Sequence, residues 1–203
     1  MELIDAVKGR RSVRKFKKLS IPKEDIDKIM ESAIWAPSGS NRQQWRFIIV
    51  TDDTLKNKLA NAIEDVVKEM EKELGDDSEI ISRLKKSLPY YTFFREAPVL
   101  IVAIDEEVPS TSSRVMEMRT NYKCPISIVG LSSVAAAIQN LLLTAHSLGY
   151  GTCWMTGPLI AKKEMEQILG IEYPQHLVAL IPLGIPAESP QPKQRIEGRV
   201  EYR

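Results

Sequence analysis

The sequence predicts an α/β or α+β sandwich. Segments of helical period alternate with short apolar runs of strand length. The chain has 203 residues and is 43% hydrophobic, enough for one packed core spanning residues 1–203.

Residues 2–9 form a short helix with Leu3, Ile4 and Val7 on one face. Ser20-Ile21-Pro22 followed by Glu24 and Asp25 starts a second helix, because proline fits a first turn and acids suit its positive end. Ile26, Ile29, Met30 and Ala33 are its stripe, to about Trp35. Residues 36–41 have loop chemistry, and 47–50 read as a buried strand. A helix from Asp53-Thr54 to Gly75 carries Leu55, Leu59, Ile63, Val66 and Met70 on one face. Asp76-Asp77-Ser78 caps another helix through Leu88. Pro98 opens a strand over 99–104, and the polar stretch 105–123 reads as a mobile or functional excursion. Residues 152–155 and 177–181 read as strands, and 162–169 as a short helix closed by Gly170. The tail, 186–203, alternates charges, contains three prolines and cannot form a core alone.

No Asp, Glu, Lys or Arg occurs from Cys124 to Ala161. Within it, residues 127–148 look helical and end at Gly149. Gln139, Asn140 and His146 argue against a membrane span. A helix without a charged face is buried nearly all round. A small monomer has little room to surround a rod of about 30 Å, so we expect a second subunit to cover part of it. A central helix in a monomeric core is the alternative.

Charge and cysteine usage exclude several classes. Lys plus Arg is 28 and Asp plus Glu 27, a net +1, which argues against a generally basic nucleic-acid binder. Residues 1–9 lack a secretory pattern, and two cysteines make no disulfide framework, so a cytoplasmic setting is expected. His146 and His176 have no metal-ligand spacing with the cysteines, so no metal is expected. Neither GxGxxG nor a Walker loop is present.

Four constellations remain. Residues 8–18 hold seven cations and no acid, while the rest of the chain is net −6. Arg10, Arg11, Ser12 and Arg14 offer forks and a hydroxyl suited to phosphate oxygens. A solvated basic turn is the other reading. In Ala36-Pro37-Ser38-Gly39-Ser40-Asn41-Arg42-Gln43-Gln44-Trp45, small residues admit close backbone approach and the amides can read a ring, although a plain connecting loop has the same composition. Gly149-Tyr150-Gly151-Thr152-Cys153-Trp154-Met155-Thr156-Gly157 presents backbone to a flat ligand. Its Cys153 reads as a small core thiol, since no acid or base lies nearby in sequence. Pro192-Lys193-Gln194-Arg195 is by itself a surface basic pair.

Taken in order, Arg10-Arg11-Ser12-Val13-Arg14-Lys15-Phe16, the run from Ala36 to Phe47, the charge-free helix, Gly151-Thr152-Cys153-Trp154, Leu183-Gly184-Ile185-Pro186-Ala187-Glu188 and Lys193-x-Arg195 resemble the FMN-dependent nitroreductase superfamily over nearly the whole chain. The resemblance implies an α+β sandwich, a central mixed sheet flanked by helices, in a domain-swapped homodimer with FMN at the interface. It implies that Arg10, Arg11, Ser12 and Arg14 hold the phosphate, ribityl chain and pyrimidine edge, with Lys193 and Arg195 completing the phosphate clamp. Pro37, Ser38, Gly39, Ser40 and Asn41 would come from the other subunit, which the tail would also overlie. Met155, Thr156 and Gly157 would lie along the isoalloxazine near N5.

The implied activity is NAD(P)H-dependent reduction of nitroaromatics, quinones or similar flat acceptors by ping-pong hydride transfer through N5, with NADH or NADPH as donor. Thr156 and Arg14 would tune the flavin, and no protein group need act as acid or base. No nucleic acid or membrane partner is implied. A flavoprotein of the same fold with another task, such as a reductive dehalogenase or flavin sensor, is the alternative. Thr156 leaves the deiodinase branch open, whereas residues 54–74 lack the tyrosine of that branch's lid. Ser12 stands where the flavin-destroying branch that makes a vitamin B12 ligand usually carries Asp, and Gln44 where the family often has Pro. Acceptor pockets in the family are built from variable insertions, here residues 65–125. Tyr90, Tyr91, Phe93 and Phe94 in that stretch suit either stacking on a substrate or core packing.

Overall fold

Residues 1–76, 78–106, 111–120 and 128–203 are described by the computed structural model, except the side chains of 112, 113, 116, 117 and 120. Among the described residues, four strands form one sheet in the order β1-β2-β4-β3, with β1 Trp45–Val50, β2 Val99–Asp105, β3 Gly151–Thr152 and β4 His176–Gly184. The strand pairs are antiparallel, and Ser12 adds a parallel bridge to Thr152 at the β3 edge. The helices are α1 Leu3–Gly9, α2 Lys23–Ile34, α3 Asp53–Leu74, α4 Glu79–Thr92, α5 Thr111–Thr120, α6 Ile128–Ser147 and α7 Lys162–Leu169.

Strand alternation divides the core into two layers. Val99, Ile101 and Ala103 of β2 face a cluster built with α2 and α6, while Leu100, Val102 and Ile104 face one built with α3 and α7. Burial on both faces explains the uninterrupted apolar run of β2. β1 corrects the expectation of a buried strand. It is the sheet's edge, and Ile49 is exposed.

α3 begins and ends for local reasons, whereas Ser78, at the N-cap of α4, makes no side-chain cap bond and residue 77 lies outside the described set. Asp52 caps α3 by accepting from the backbone N–H groups of Thr54 and Leu55, and Gly75 ends it at φ 79°. The expected stripe on α3 is turned by about one residue. Lys56, Leu59, Ala60, Ile63 and Val67 are buried, whereas Leu55, Val66 and Met70 are half-buried. Lys56 enters the core because its ammonium donates to the Ala97 carbonyl and pairs with Asp53 Oδ1 at 2.7 Å. α4 runs past Leu88, with Pro89 inside it, and a 3₁₀ turn over Phe93–Glu96 continues it. The excursion at 105–123 contains α5; residues 107–110 and 121–127, with Cys124, lie outside the described set.

α6 is the charge-free helix, and it is apolar and long enough to cross a membrane by composition alone. Its Val134, Ala137, Ile138, Leu141 and Ala145 are instead core residues against α2 and the sheet. Ile128, Leu131 and Leu148 remain exposed in the single chain, as do Leu3, Ile4 and Val7 of α1. The expected strand at 152–155 is shorter: after Thr152 only an isolated bridge, Met155 to Leu180, continues the pairing. The tail from Gly198 to Arg203 is exposed and has no regular structure.

Candidate functional site

The segment after α1 runs along the β3 edge. Val13 N–H donates to the Thr152 carbonyl, Lys17 N–H to Ile185, and Ala187 N–H to Lys15. Val13 is buried against Gly151, where a Cβ would come within 2.8–2.9 Å of three Val13 atoms. Only glycine therefore lets the basic segment lie this close to the sheet. Glu188 adds a second lock, its Oε1 accepting from the backbone N–H groups of both Arg14 and Lys15.

This docking gathers cations. Arg10 lies close enough to Arg11 and Arg195 that, after burial, their charges lower its pKa. Arg11 donates to the carbonyls of Lys8 and Arg10, both at 2.7 Å, which steers it toward the end of α1. Burial first, then Arg10 and Arg11, lower the pKa of His146. Arg10, Arg11, His146, Thr152 and Pro192 line one cleft of about 490 Å³. Thr152 is 1% exposed and its hydroxyl has no hydrogen-bond partner. Crowded cations beside an unpartnered buried hydroxyl are the chemistry of an anion site.

A second pocket of about 290 Å³ lies between Arg14, the segment from Cys153 to Pro158, and Tyr90, Tyr91 and Phe93. Cys153 connects the two regions electrostatically, since Arg14, Ser12 and Arg10 all act on its thiol. Burial outweighs them and pushes the thiol pKa up. A protonated core thiol is a poor nucleophile. Met155 is buried, with its backbone paired to Leu180, while Thr156 is exposed. Of the four aromatics, Phe94 is fully buried in the core, and the other three line the pocket, Tyr91 and Phe93 while also packing against the core.

The loop carrying Pro37, Ser38, Gly39, Ser40 and Asn41 is elsewhere. Gly39 N–H donates to Ser133 Oγ, and a Gly39 Cβ would meet Val129. These contacts lie in the first turns of α6, whereas His146 near its end meets Gly9. At 1.5 Å per residue the two motif loops are roughly 20–25 Å apart along the helix. Ser40, Asn41 and Gln43 all have positive φ, at 55°, 52° and 52°. Such strain in non-glycine residues costs roughly 1–3 kcal/mol each and concentrates at functional loops. Ser38 Oγ accepts from Gln43 N–H, and Asn41 Oδ1 accepts from Gln43 Nε2. Beside this loop, Ile128, Val129, Ser132 and Ala136 border an open apolar cleft of about 400 Å³.

The structure thus brings Arg10, Arg11, Ser12, Arg14, Met155, Thr156, Gly157 and Arg195 to one side. Residues 37–41 stand at the other, and Lys193 is exposed on the tail. Sequence reading left Glu188, Thr152 and His146 out of the site. Glu188 was visible only as part of a longer motif, because its role depends on a contact across 174 residues.

The nitroreductase family model matches residues 7–185. The chain belongs to the nitroreductase family. Among its relatives, a provisionally named NADH dehydrogenase/NAD(P)H nitroreductase of Methanothermobacter thermautotrophicus is 31% identical over 94% of this chain and 80% of its own. A BluB-like flavoprotein of Clostridium difficile 630 superposes with a TM-score of 0.85 at 32% identity, covering 97% of this chain and 95% of that one. An iodotyrosine deiodinase bound to FMN and 3-iodo-L-tyrosine superposes at 0.74 with 28% identity, covering 100% and 99%. The α+β fold is that of these nitroreductase-family neighbours.

Proposed function

We propose that this nitroreductase-family chain is an FMN-dependent NAD(P)H oxidoreductase of nitroaromatics, quinones or similar flat acceptors, working as a cytoplasmic homodimer. The carrying observation is the cation cluster of Arg10, Arg11 and Arg195 beside the unpartnered Thr152 hydroxyl, adjoining a pocket walled by rings. These residues fit FMN, a phosphate dianion joined to a flat ring system. Arg10 and Arg195, with Lys193, would hold the phosphate, and Arg11 would reinforce the positive field there. Ser12 and Arg14 would meet the ribityl chain and pyrimidine edge. Met155, Thr156 and Gly157 would present backbone and a hydroxyl to the ring. When bound, FMN supplies the hydride chemistry between nicotinamide and acceptor.

The separation of the two motif loops supports the dimer. Pro37, Ser38, Gly39, Ser40 and Asn41 stand too far along α6 to serve the flavin of their own chain, so they would serve a partner's. The exposed apolar residues of α1 and α6 supply the surface for it.

A deiodinase-like task is the second reading, favoured by the FMN-bound deiodinase neighbour and the exposed Thr156 hydroxyl. Against it, α3 carries no tyrosine, and among the described residues no carboxylate lines the ring pocket to receive an ammonium group.

A visible spectrum after FMN addition and desalting, followed by anaerobic NADH or NADPH, tests the proposal. A retained band that bleaches supports it and reveals the donor. A retained band that stays favours the second reading. No retained flavin overturns both.

A further inference from the structure

We propose that Tyr91 is a specificity-determining residue, an aromatic wall against which a flat acceptor packs; this rests on the flavin reading above. Three observations carry it. Phe94 is fully buried and anchors the end of the α4 segment in the core, and Thr92 Oγ1 donates to the Leu88 carbonyl one turn earlier. With those two positions held, Tyr90, Tyr91 and Phe93 line the pocket, and Tyr91 and Phe93 also pack against the core from its edge.

The Tyr91 ring is seated directly on Gly157. A Cβ there would overlap Cε1 and Cδ1 of the ring and stand 3.1 Å from Cζ. Glycine thus admits the ring beside the backbone segment 155–157. Tyr90 is 64% exposed, whereas Tyr91 is half-buried and held against Gly157. A held ring loses little freedom when a second ring stacks on it, so Tyr91 contributes more to acceptor binding than Tyr90.

The test uses the FMN-loaded protein in its oxidised state and 4-nitrobenzamide, a flat neutral probe that oxidised flavin does not reduce. Titration is followed by the change in the flavin band, so no turnover is needed. Tyr91→Leu should weaken the probe's Kd at least fivefold, and Tyr91→Phe should stay within twofold of wild type. Cyclohexanecarboxamide, which is not flat, should bind all three proteins weakly and alike. Probe Kd is measured at saturating FMN with FMN release followed in parallel, so that lost flavin is not read as lost probe binding. An unchanged probe Kd in Y91L overturns the role of Tyr91 while leaving the flavin reading intact. A Y91F loss as large as that of Y91L also overturns it, since the hydroxyl would then be the determinant. Should Y91L shed FMN, Tyr91→Met carries the same comparison. A wild-type chain that retains no FMN overturns the flavin reading, and this wall with it.

Discussion

Glu188 Oε1 accepts from the backbone N–H of Arg14 at 2.5 Å and, with the same oxygen, from that of Lys15 at 3.1 Å. One carboxylate from the start of the tail therefore fixes the backbone of the basic segment. Glu188→Ala frees that backbone, and FMN should bind on the order of tenfold more weakly, as expected for losing about 1.5 kcal/mol at a half-exposed charged contact. Glu188→Gln retains an oxygen acceptor and should keep most of the affinity. Flavin fluorescence titration reads both; equal affinities for E188A and wild type would remove Glu188 from the site's support.

Arg14 borders the ring pocket and its guanidinium donates to the Ser12 carbonyl at 3.3 Å. Arg14→Ala should weaken FMN retention and slow flavin reduction, through loss of a charge-assisted contact worth roughly 1.5–3 kcal/mol. Desalting and stopped-flow reduction check each half. Wild-type values in both would refute the assignment.

Cys153 is 4% exposed, and burial holds its thiol pKa above the usual range despite Arg14, Ser12 and Arg10. Cys153→Ser should leave turnover largely intact, and iodoacetamide should not label the wild-type residue at pH 7. Complete loss of activity in C153S would revive a thiol mechanism.

Tyr150 Oη donates to Asp25 Oδ2 at 2.7 Å, tying α2 to the turn after α6. Burial, then this bond, push the phenol up to about 12. The same bond, then Lys28, lower the Asp25 carboxyl. The raised phenol stabilises the fold fully below its unfolded value near 10, and that contribution fades as pH rises toward 12. The lowered carboxyl contributes above its unfolded value near 3.8 and fades as pH falls through its folded value. The stability gap between wild type and Tyr150→Phe should thus be flat from about pH 5 to 9 and close at both extremes. Urea unfolding across that range checks it; a gap that stays constant into both extremes would show that ionisation of this pair does not govern it, and no gap at all would show that the bond contributes nothing.

Local patterns made most elements legible. The 3.6-residue stripe of α2, with Pro22 before it, and the apolar run of β2 are consequences of neighbouring residues alone. The charge-free stretch announced α6 within a residue or two of its ends. Lys56 shows where such reading fails. Periodicity assigns a lysine to solvent, but the Ala97 carbonyl that receives its ammonium is 41 residues away. Pro89 similarly looks like a stop, yet Phe94 in the core draws the helical segment onward.

The basic segment, the small-residue loop and the glycine-flanked run were all visible as motifs, because each is a short stretch of unusual chemistry. Which of them meet was not. Their separation along α6, the Glu188 lock on Arg14 and Lys15, and the seating of Tyr91 on Gly157 arise from packing between residues distant in the chain. Composition names the groups available for chemistry, and long-range packing alone places one beside another.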